Sequence, residues 1–75
     1  MQSSKDFDVR LGTMLRIQRE AAGIKAADVA KALGVNRSTI TFYETGRNAM
    51  SASVLVDYCR AIGFDPAELI KLVKE

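Results

Sequence analysis

Short stretches with helical spacing, nearly all followed by a glycine, constrain this 75-residue chain more than any other feature. From Phe7 onward the apolar residues fall at the spacing of one helix face, and Gly23 follows. Two later stretches with the same spacing stop at Gly34 and Gly63. Residues three and four apart share one face of an α-helix, and glycine is common just past a helix end. The pattern predicts an all-α fold of five short helices without a strand.

The predicted helix ends carry further start and stop signals. Asn36 and Ser51 are good N-caps for the third and fourth helices, and Gly46 closes the third. The second helix starts less clearly, because Lys25 stands where a capping hydroxyl is preferred, although Asp28 lies in the first turn, where the helix dipole favours negative charge. The fifth helix opens with a cap, a first-turn proline and a carboxylate that completes a capping-box-like pair, namely Asp65, Pro66 and Glu68.

The apolar stripes together predict one compact five-helix bundle over residues 1–75. A chain of this length lies near the lower limit for a fold without disulfides or metals. Its composition, with 48% hydrophobic and 27% charged residues, is typical of a globular protein. The expected core consists of the inward-facing residues Leu11, Leu15, Val29, Ala30, Leu33, Val35, Ile40, Val54, Leu55, Tyr58, Ile62 and Leu69.

The composition does not indicate catalysis, a cofactor or a metal. The chain has no His, no sign of a paired-carboxylate site and no glycine-rich phosphate loop. The single Cys59 cannot form an intrachain disulfide and has no His or Cys partner, so we expect a small packing residue. No apolar run approaches the ~18 residues of a membrane span, and the N-terminus lacks a signal-peptide core. We therefore expect a cytoplasmic protein that is not an enzyme and binds no cofactor.

The distribution of charge is more informative than its total. The net charge is only +2, but the segment from Arg10 to Arg47 carries +4 and the rest of the chain −2. Such a basic segment is one mark of a nucleic-acid partner, and it also arises from ordinary surface scatter. The charge pattern alone leaves both interpretations open.

Two predicted helices are joined by only a few residues around Gly34, which indicates a helix-turn-helix at about residues 26–45. Ala30 supplies a small side chain where the two helices cross. Gly34, four residues later, can adopt the left-handed conformation that the turn requires. Val35 then lies beneath the turn, and Ile40 anchors the next helix to the core.

Four segments in register resemble the phage repressor/Cro-type (lambda-repressor-like, XRE-like) helix-turn-helix domains. They are "LGTMLRIQREAAGI", "DVAKALGVNRSTI", "YETGRN" and "LVDYCRAIGFDPAEL", and they cover the chain from about Leu11 to Leu72. The resemblance implies sequence-specific binding of double-stranded DNA by a prokaryotic or phage transcriptional regulator, in particular a repressor. The helix at 36–45 would then read the major groove. The alternative is a helix-turn-helix module whose main partner is a protein, such as an antitoxin or an adaptor.

The resemblance also implies a buried ion pair and shows two departures from the family pattern. Arg19 and Glu44 match the positions that commonly pair, and the alternative is two separate solvated charges. The second helix of the family typically begins with a hydroxyl followed by Gln, where this chain has Lys25 and Ala26. "NAMS" stands where a Pro is usual after the recognition-helix loop. One customary phosphate contact is therefore missing, and the charge of Lys25 is its expected replacement.

Residues of the third helix match the family positions that reach bases. Arg37 can donate two hydrogen bonds to guanine, Ser38 can bond to either kind of base edge, and the ring of Phe42 can pack on a thymine methyl group. The alternative for Phe42 is that its ring folds back onto a neighbouring helix. Thr39 and Thr41 are expected to contact a base or a phosphate.

The remaining DNA contacts expected are to phosphates. The candidates are Lys25, Asn36, Arg47 and Asn48, assisted by amide groups at helix starts. At most one further contact is expected from three other cations of the basic segment, which are Arg10, Arg16 and Lys31.

The fifth helix suggests a homodimer on a palindromic operator. Ile70 and Leu72 add to an apolar surface larger than a terminal helix needs, and Val56 and Cys59 lie off the inner stripe of the fourth helix. The alternative is that Ile70 and Leu72 pack on the first helix. The expected interface comprises the fifth helix and the "GFDP" turn, with Phe64, Asp65, Pro66, Leu69, Ile70 and Val73.

Overall fold

The computed structural model describes residues 4–74, and within that range it contains five α-helices and no strand. The all-α five-helix bundle predicted from the spacing is thus confirmed. The ends of the expected 1–75 domain, residues 1–3 and residue 75, lie outside the described residues. In chain order the helices are α1 (Ser4–Ala21), α2 (Ala26–Leu33), α3 (Arg37–Glu44), α4 (Ala52–Ile62) and α5 (Pro66–Lys74).

The helix starts divide into capped and uncapped ones. The Ser51 hydroxyl accepts from the Val54 amide at 3.2 Å, and Asp65 Oδ1 accepts from the Ala67 amide at 2.9 Å, so both predicted caps are present. Lys25 occupies the N-cap position of α2 without a side-chain cap, as its chemistry predicts. Asn36 occupies the N-cap position of α3 in extended backbone, but its side chain makes no capping hydrogen bond. The predicted N-cap position of Asn36 is therefore confirmed, whereas the side-chain capping hydrogen bond expected there is absent.

The core lies where the inner faces of all five helices meet, and most of its predicted members are buried. Leu33, Val35 and Leu55 are half-buried and pack against it. The buried residues are Leu11, Leu15, Val29, Ala30, Ile40, Tyr58, Cys59, Ile62, Leu69 and Val73.

The stripe of α4 that faces the core differs from the prediction in one of its four residues. Val54, expected in the core, is only half-buried, whereas Cys59 is fully buried. The stripe that faces the core is Leu55, Tyr58, Cys59 and Ile62, which keeps the spacing i, i+3, i+4, i+7. The placement of Cys59 off the inner stripe was therefore wrong, and its interpretation as a small packing residue holds. Burial raises the pKa of the Cys59 thiol above its ordinary value.

The first helix packs closely against the third at Gly12. α1 contacts α3 and α5, while α2 contacts α3 and α4. A Cβ atom at Gly12 would lie 2.3 Å from the Tyr43 carbonyl oxygen and 2.6 Å from that of Glu44. Only glycine therefore fits between the two backbones. Sequence reasoning overlooked this residue, although a glycine inside a helical pattern is itself a signal of close packing.

None of the helices within residues 4–74 combines the length and the apolar character needed to cross a membrane. No group of three or more His, Cys, Asp or Glu side chains is placed to hold a metal ion in this part of the chain.

Candidate nucleic-acid interface

A tight turn joins α2 to α3. Gly34 follows α2 in left-handed backbone at φ 70°, and the Val35 amide donates to the Ala30 carbonyl at 3.0 Å. Ala30 is 3% exposed where the two helices meet, and Ile40 on the inner face of α3 is fully buried. α2 begins at Ala26 and α3 ends at Glu44, each within one residue of the bounds 26–45 expected for the helix-turn-helix.

A buried ion pair fixes the C-terminal end of α3. Arg19 of α1 donates to Glu44 from Nε at 2.8 Å and from Nη2 at 3.2 Å, as the resemblance implied. Their side chains are only 11% and 7% exposed. Arg19 Nη1 also donates to the Ile24 carbonyl at 2.8 Å, at the turn before α2. The hydrogen bond to Glu44 raises the pKa of Arg19 above its ordinary value, which keeps the guanidinium charged.

Tyr58 of α4 is a third member of this buried cluster. Its hydroxyl donates to Glu44 Oε2, the same oxygen that accepts from Arg19 Nε. Burial, and then the hydrogen bond to Glu44, raise the pKa of Tyr58 well above its ordinary value, so the hydroxyl stays protonated. Sequence reasoning placed Tyr58 in the core as an apolar residue and missed its role as a donor.

The outer face of α3 is polar and open to solvent. Arg37, Ser38 and Thr41 are exposed, and Thr39 is half-buried. Thr45, just after the helix, donates from its hydroxyl to the Thr41 carbonyl at 3.0 Å. Three of the predicted base-contacting residues therefore share a solvent-facing surface at the start and middle of α3.

Phe42 lies beside the loop that follows α3. Its ring is half-buried and does not belong to the core or to the side chains packed against it. The Arg47 guanidinium lies over the ring, 5.1 Å from its centroid, which is the geometry of a cation–π contact. The Phe42 carbonyl also accepts from the amides of Arg47 at 2.9 Å and Asn48 at 3.1 Å. Phe42 thus holds the loop that carries two predicted phosphate contacts.

The first helix supports the same loop from the other side. Gly46 is buried at φ 77°, and a Cβ atom there would lie 2.7 Å from the backbone of Val9. Lys5 Nζ donates to the Gly46 carbonyl at 2.5 Å. The loop therefore rests on α1, with the side chains of Arg47 and Asn48 exposed.

A cationic depression of about 440 Å³ lies between the starts of α2 and α3. Its walls include Lys25 and Arg37, both exposed, and Arg19, whose charge is matched by Glu44. Two cations without a carboxylate in the wall suit an anion such as a phosphate group.

The three remaining cations of the basic segment lie in different settings. Arg16 pairs with Glu20 at 3.4 Å on the exposed side of α1. Arg10 is half-buried, and Lys31 is exposed in the last turn of α2. Of these three cations, Lys31 is therefore the exposed one that lies within the helix-turn-helix.

Part of the predicted dimer interface lies inside the chain. Leu69 is fully buried and Val73 is 2% exposed, because both fill the core of this same domain, so their assignment to an intermolecular surface is wrong. Phe64, Pro66 and Ile70 are half-buried, and the predicted Asp65 is exposed. Leu72, 38% exposed, adds an apolar side chain on α5.

Two short helices joined by a tight turn and held within a five-helix bundle define a helix-turn-helix domain. A family model described as "Helix-turn-helix domain" matches residues 10–72. The chain therefore belongs to the helix-turn-helix family, and the resemblance found in its sequence is confirmed.

Known relatives and structures agree with this assignment. The crystal structure of the clp gene regulator ClgR from C. glutamicum matches with a TM-score of 0.86 at 26% identity, over 91% of this chain and 88% of its own. The restriction-modification controller protein C.AhdI from Aeromonas hydrophila matches with a TM-score of 0.75 at 30% identity, over 81% of this chain and 92% of its own. A Methanocella arvoryzae protein with the provisional name HTH-type transcriptional regulatory protein is 48% identical over 44 residues, which are 59% of this chain and only 14% of that relative.

Proposed function

We propose that this domain binds double-stranded DNA sequence-specifically as part of a transcriptional regulator, and that α3 reads the major groove. The observation that carries the proposal is the exposed polar face of α3, with cations on both sides of it, on a helix whose other face is anchored in the core. The names of ClgR and C.AhdI, a gene regulator and a controller protein, support the same role. Binding alone would serve this role, in the cytoplasm and without catalysis.

Base recognition is assigned to the exposed residues of α3. Arg37 and Ser38 lie in its first turn, which is the part of a recognition helix that enters the groove most deeply. Thr41 continues the same face one turn later. Arg37 would donate two hydrogen bonds to a guanine, the commonest specific contact. Thr39 and Phe42, both half-buried, are assigned to the edge of the contact surface.

Phosphate binding is assigned to the two flanks of α3. On one flank, Lys25 would hold one strand, with Asn36 at the turn. On the other flank, Arg47 and Asn48 project from the loop that Phe42 supports. Contacts on both flanks fix the register of a domain on DNA, and the bases then supply specificity.

We also propose that two copies bind a palindromic operator, since one recognition helix reads only a few base pairs and paired half-sites lie about one DNA turn apart. The surface available for pairing comprises the turn before α5 and the outer side of α5, with Phe64, Asp65, Pro66, Ile70 and Leu72. Occupancy of such a site near a promoter would make the protein a repressor.

Selection of bound sequences from a random double-stranded DNA pool tests the function and the assembly together. We expect an enriched motif with two symmetric half-sites, and its loss when Arg37 and Ser38 are both changed to Ala. An enriched motif without symmetry would contradict the paired assembly. No enrichment at low salt, where non-specific binding is strongest, would overturn the DNA-binding function in favour of a protein partner.

A further inference from the structure

Tyr58 links α4 to the recognition helix. Its ring is fully buried in the core, and its hydroxyl donates to the carboxylate of Glu44, the last residue of α3. α3 packs mainly against α1 and α2, whereas α4 packs mainly against α2. The hydrogen bond therefore joins two helices that share little other contact surface.

The Glu44 carboxylate accepts hydrogen bonds from two different helices. Arg19 of α1 supplies two donors that belong to one planar guanidinium. The Tyr58 hydroxyl of α4 adds a third donor, on the oxygen that also accepts from Arg19 Nε. With both partners, the end of α3 is tied to α1 and to α4.

The same cluster reaches the start of α2. Arg19 Nη1 donates to the Ile24 carbonyl, one residue before Lys25. A displacement of Glu44 would move Arg19 and, through it, the turn that leads into α2. The position of Tyr58 is therefore coupled to the recognition helix and to one of its phosphate-binding flanks.

We infer that the Tyr58 hydroxyl is a positioning group for DNA recognition, which sets the orientation of α3 through Glu44. The side chain is fully buried, so it acts without touching DNA. This inference rests on the proposed function. It gives a core side chain a specific influence on how tightly the folded protein binds its site.

Tyr58→Phe is the direct test, because it keeps the ring and removes one donor. Binding is measured on the DNA site selected as above and on a scrambled duplex, in a sucrose concentration that keeps every variant folded. We expect affinity for the selected site to fall roughly 2- to 30-fold, the range for substitutions that act through a coupled network. Affinity for the scrambled duplex and the salt dependence should change less than affinity for the selected site, since no phosphate-contacting side chain is removed.

A matched control separates positioning from stability. Ile62→Val changes the core on the same helix without touching Glu44, so it should lower the free energy of unfolding but leave affinity for the selected site within about twofold. Glu44→Leu removes both acceptor oxygens and completes a double-mutant cycle, in which Tyr58→Phe should add little further loss if it acts through Glu44. Full additivity, or an equal loss of affinity in the Ile62→Val control, overturns the inference.

A measurement without DNA keeps this inference distinct from the proposed function. Residual dipolar couplings of backbone amides report the orientation of α3 relative to α1 and α2 in the free protein. Tyr58→Phe should change the couplings of α3 while Ile62→Val leaves them unchanged, whether or not a DNA site is found. Identical α3 couplings in wild type and Tyr58→Phe would refute the positioning role, and failure of the DNA selection would refute only the function.

Discussion

The two ends of α3 differ sharply although the helix is only eight residues long. At the C-terminal end, Glu44 is buried and accepts hydrogen bonds from Arg19 and Tyr58. At the N-terminal end, Arg37 and Ser38 are exposed, and no side-chain cap from the preceding residue covers the first turn.

This difference separates two tasks within one short helix. The polar groups of the buried end are satisfied by the protein itself, so they determine where the helix lies. The polar groups of the exposed end remain available to a ligand, so they determine what the helix binds. Substitutions at the buried end should therefore change the free energy of unfolding, and substitutions at the exposed end should change DNA binding.

The largest effect is expected from Arg19→Met at the buried end. It leaves the Glu44 carboxylate in the interior without its charge partner, and breaking a buried pair in this way costs ~3–5 kcal/mol of stability. Urea unfolding followed by circular dichroism measures the loss. Arg16→Met is the control, because its pair with Glu20 is exposed and the expected loss is below ~0.5 kcal/mol. Similar losses in the two variants would contradict the importance of burial.

Gly12→Ala tests the contact that sets the distance between α1 and α3. Glycine to alanine inside a helix normally stabilises by ~0.5–1 kcal/mol. Here the new Cβ would lie 2.3 Å from the Tyr43 carbonyl oxygen, so we expect a net loss of ~1–3 kcal/mol from overpacking. Thermal unfolding compared with Thr13→Ala, at the exposed neighbouring position, gives the reference. A more stable Gly12→Ala protein would show that the two helices can separate.

Arg37→Ala tests the exposed end. Loss of a bidentate contact to guanine should cost ~1–3 kcal/mol of binding free energy, with preference relaxed at one base pair only. The free energy of unfolding should not change, since Arg37 is exposed. Competition binding with single-base variants of the selected site measures the loss of affinity and the change in base preference. Arg60→Ala on α4 serves as the control. A uniform loss over all variants would reassign Arg37 to a phosphate.

Alkaline pH should weaken the buried end selectively. The raised pKa means that folded Tyr58 keeps its proton at a pH where the unfolded chain has lost it. The contribution of Tyr58 to the free energy of unfolding is therefore fully present below about pH 10. Above that pH it falls by ~1.4 kcal/mol per pH unit, until Tyr58 of the folded protein also ionises. Unfolding free energies of wild type and Tyr58→Phe, measured from about pH 8 to 11, isolate this residue from the lysines. If the unfolding free energies of the two proteins differed by the same amount at every pH, the raised pKa of Tyr58 would be ruled out.

The smallest effect is expected from Arg47→Ala on the flank of α3. Loss of one phosphate contact should weaken all duplexes alike and flatten the salt dependence of affinity by about one unit of slope. Binding isotherms at several salt concentrations provide the measurement, with Lys74→Ala as a control. Phe42→Leu tests the role of the ring beside Arg47. An equal loss of affinity for all duplexes would mean that the ring serves to hold Arg47. A loss of affinity at one A·T pair would mean that the ring contacts a thymine methyl group.

The sequence was sufficient for the number of helices and for the turn between α2 and α3, because both follow from local spacing and from glycine at helix ends. It was less informative about rotation. A rotation of only ~40° about the helix axis, less than the ~100° between successive residues, is enough to exchange Val54 and Cys59 at the two edges of the stripe on α4. The same uncertainty assigned Val73 to the outer surface and Leu69 to both the core and the interface, although both residues are buried in the core.

The residues that the sequence could not assign are those whose role depends on a distant partner. The donor role of Tyr58 exists only because α4 brings it beside Glu44, 14 positions earlier in the chain. Gly12 is required only because the backbone of α3 passes against it. The Arg19–Glu44 pair joins residues 25 positions apart, and it could be expected only from the resemblance to a known family.

The backbone contact at Gly12 also affects how such a domain can change over evolutionary time. A position where even one methyl group collides with a neighbouring carbonyl is closed to almost every mutation. Arg37, Ser38 and Thr41 are exposed on α3, where many side chains are sterically acceptable. Random mutation will therefore be filtered severely where α1 meets α3 and lightly on the exposed surface of α3. A descendant could acquire a new target sequence through a few substitutions while inheriting an unchanged scaffold.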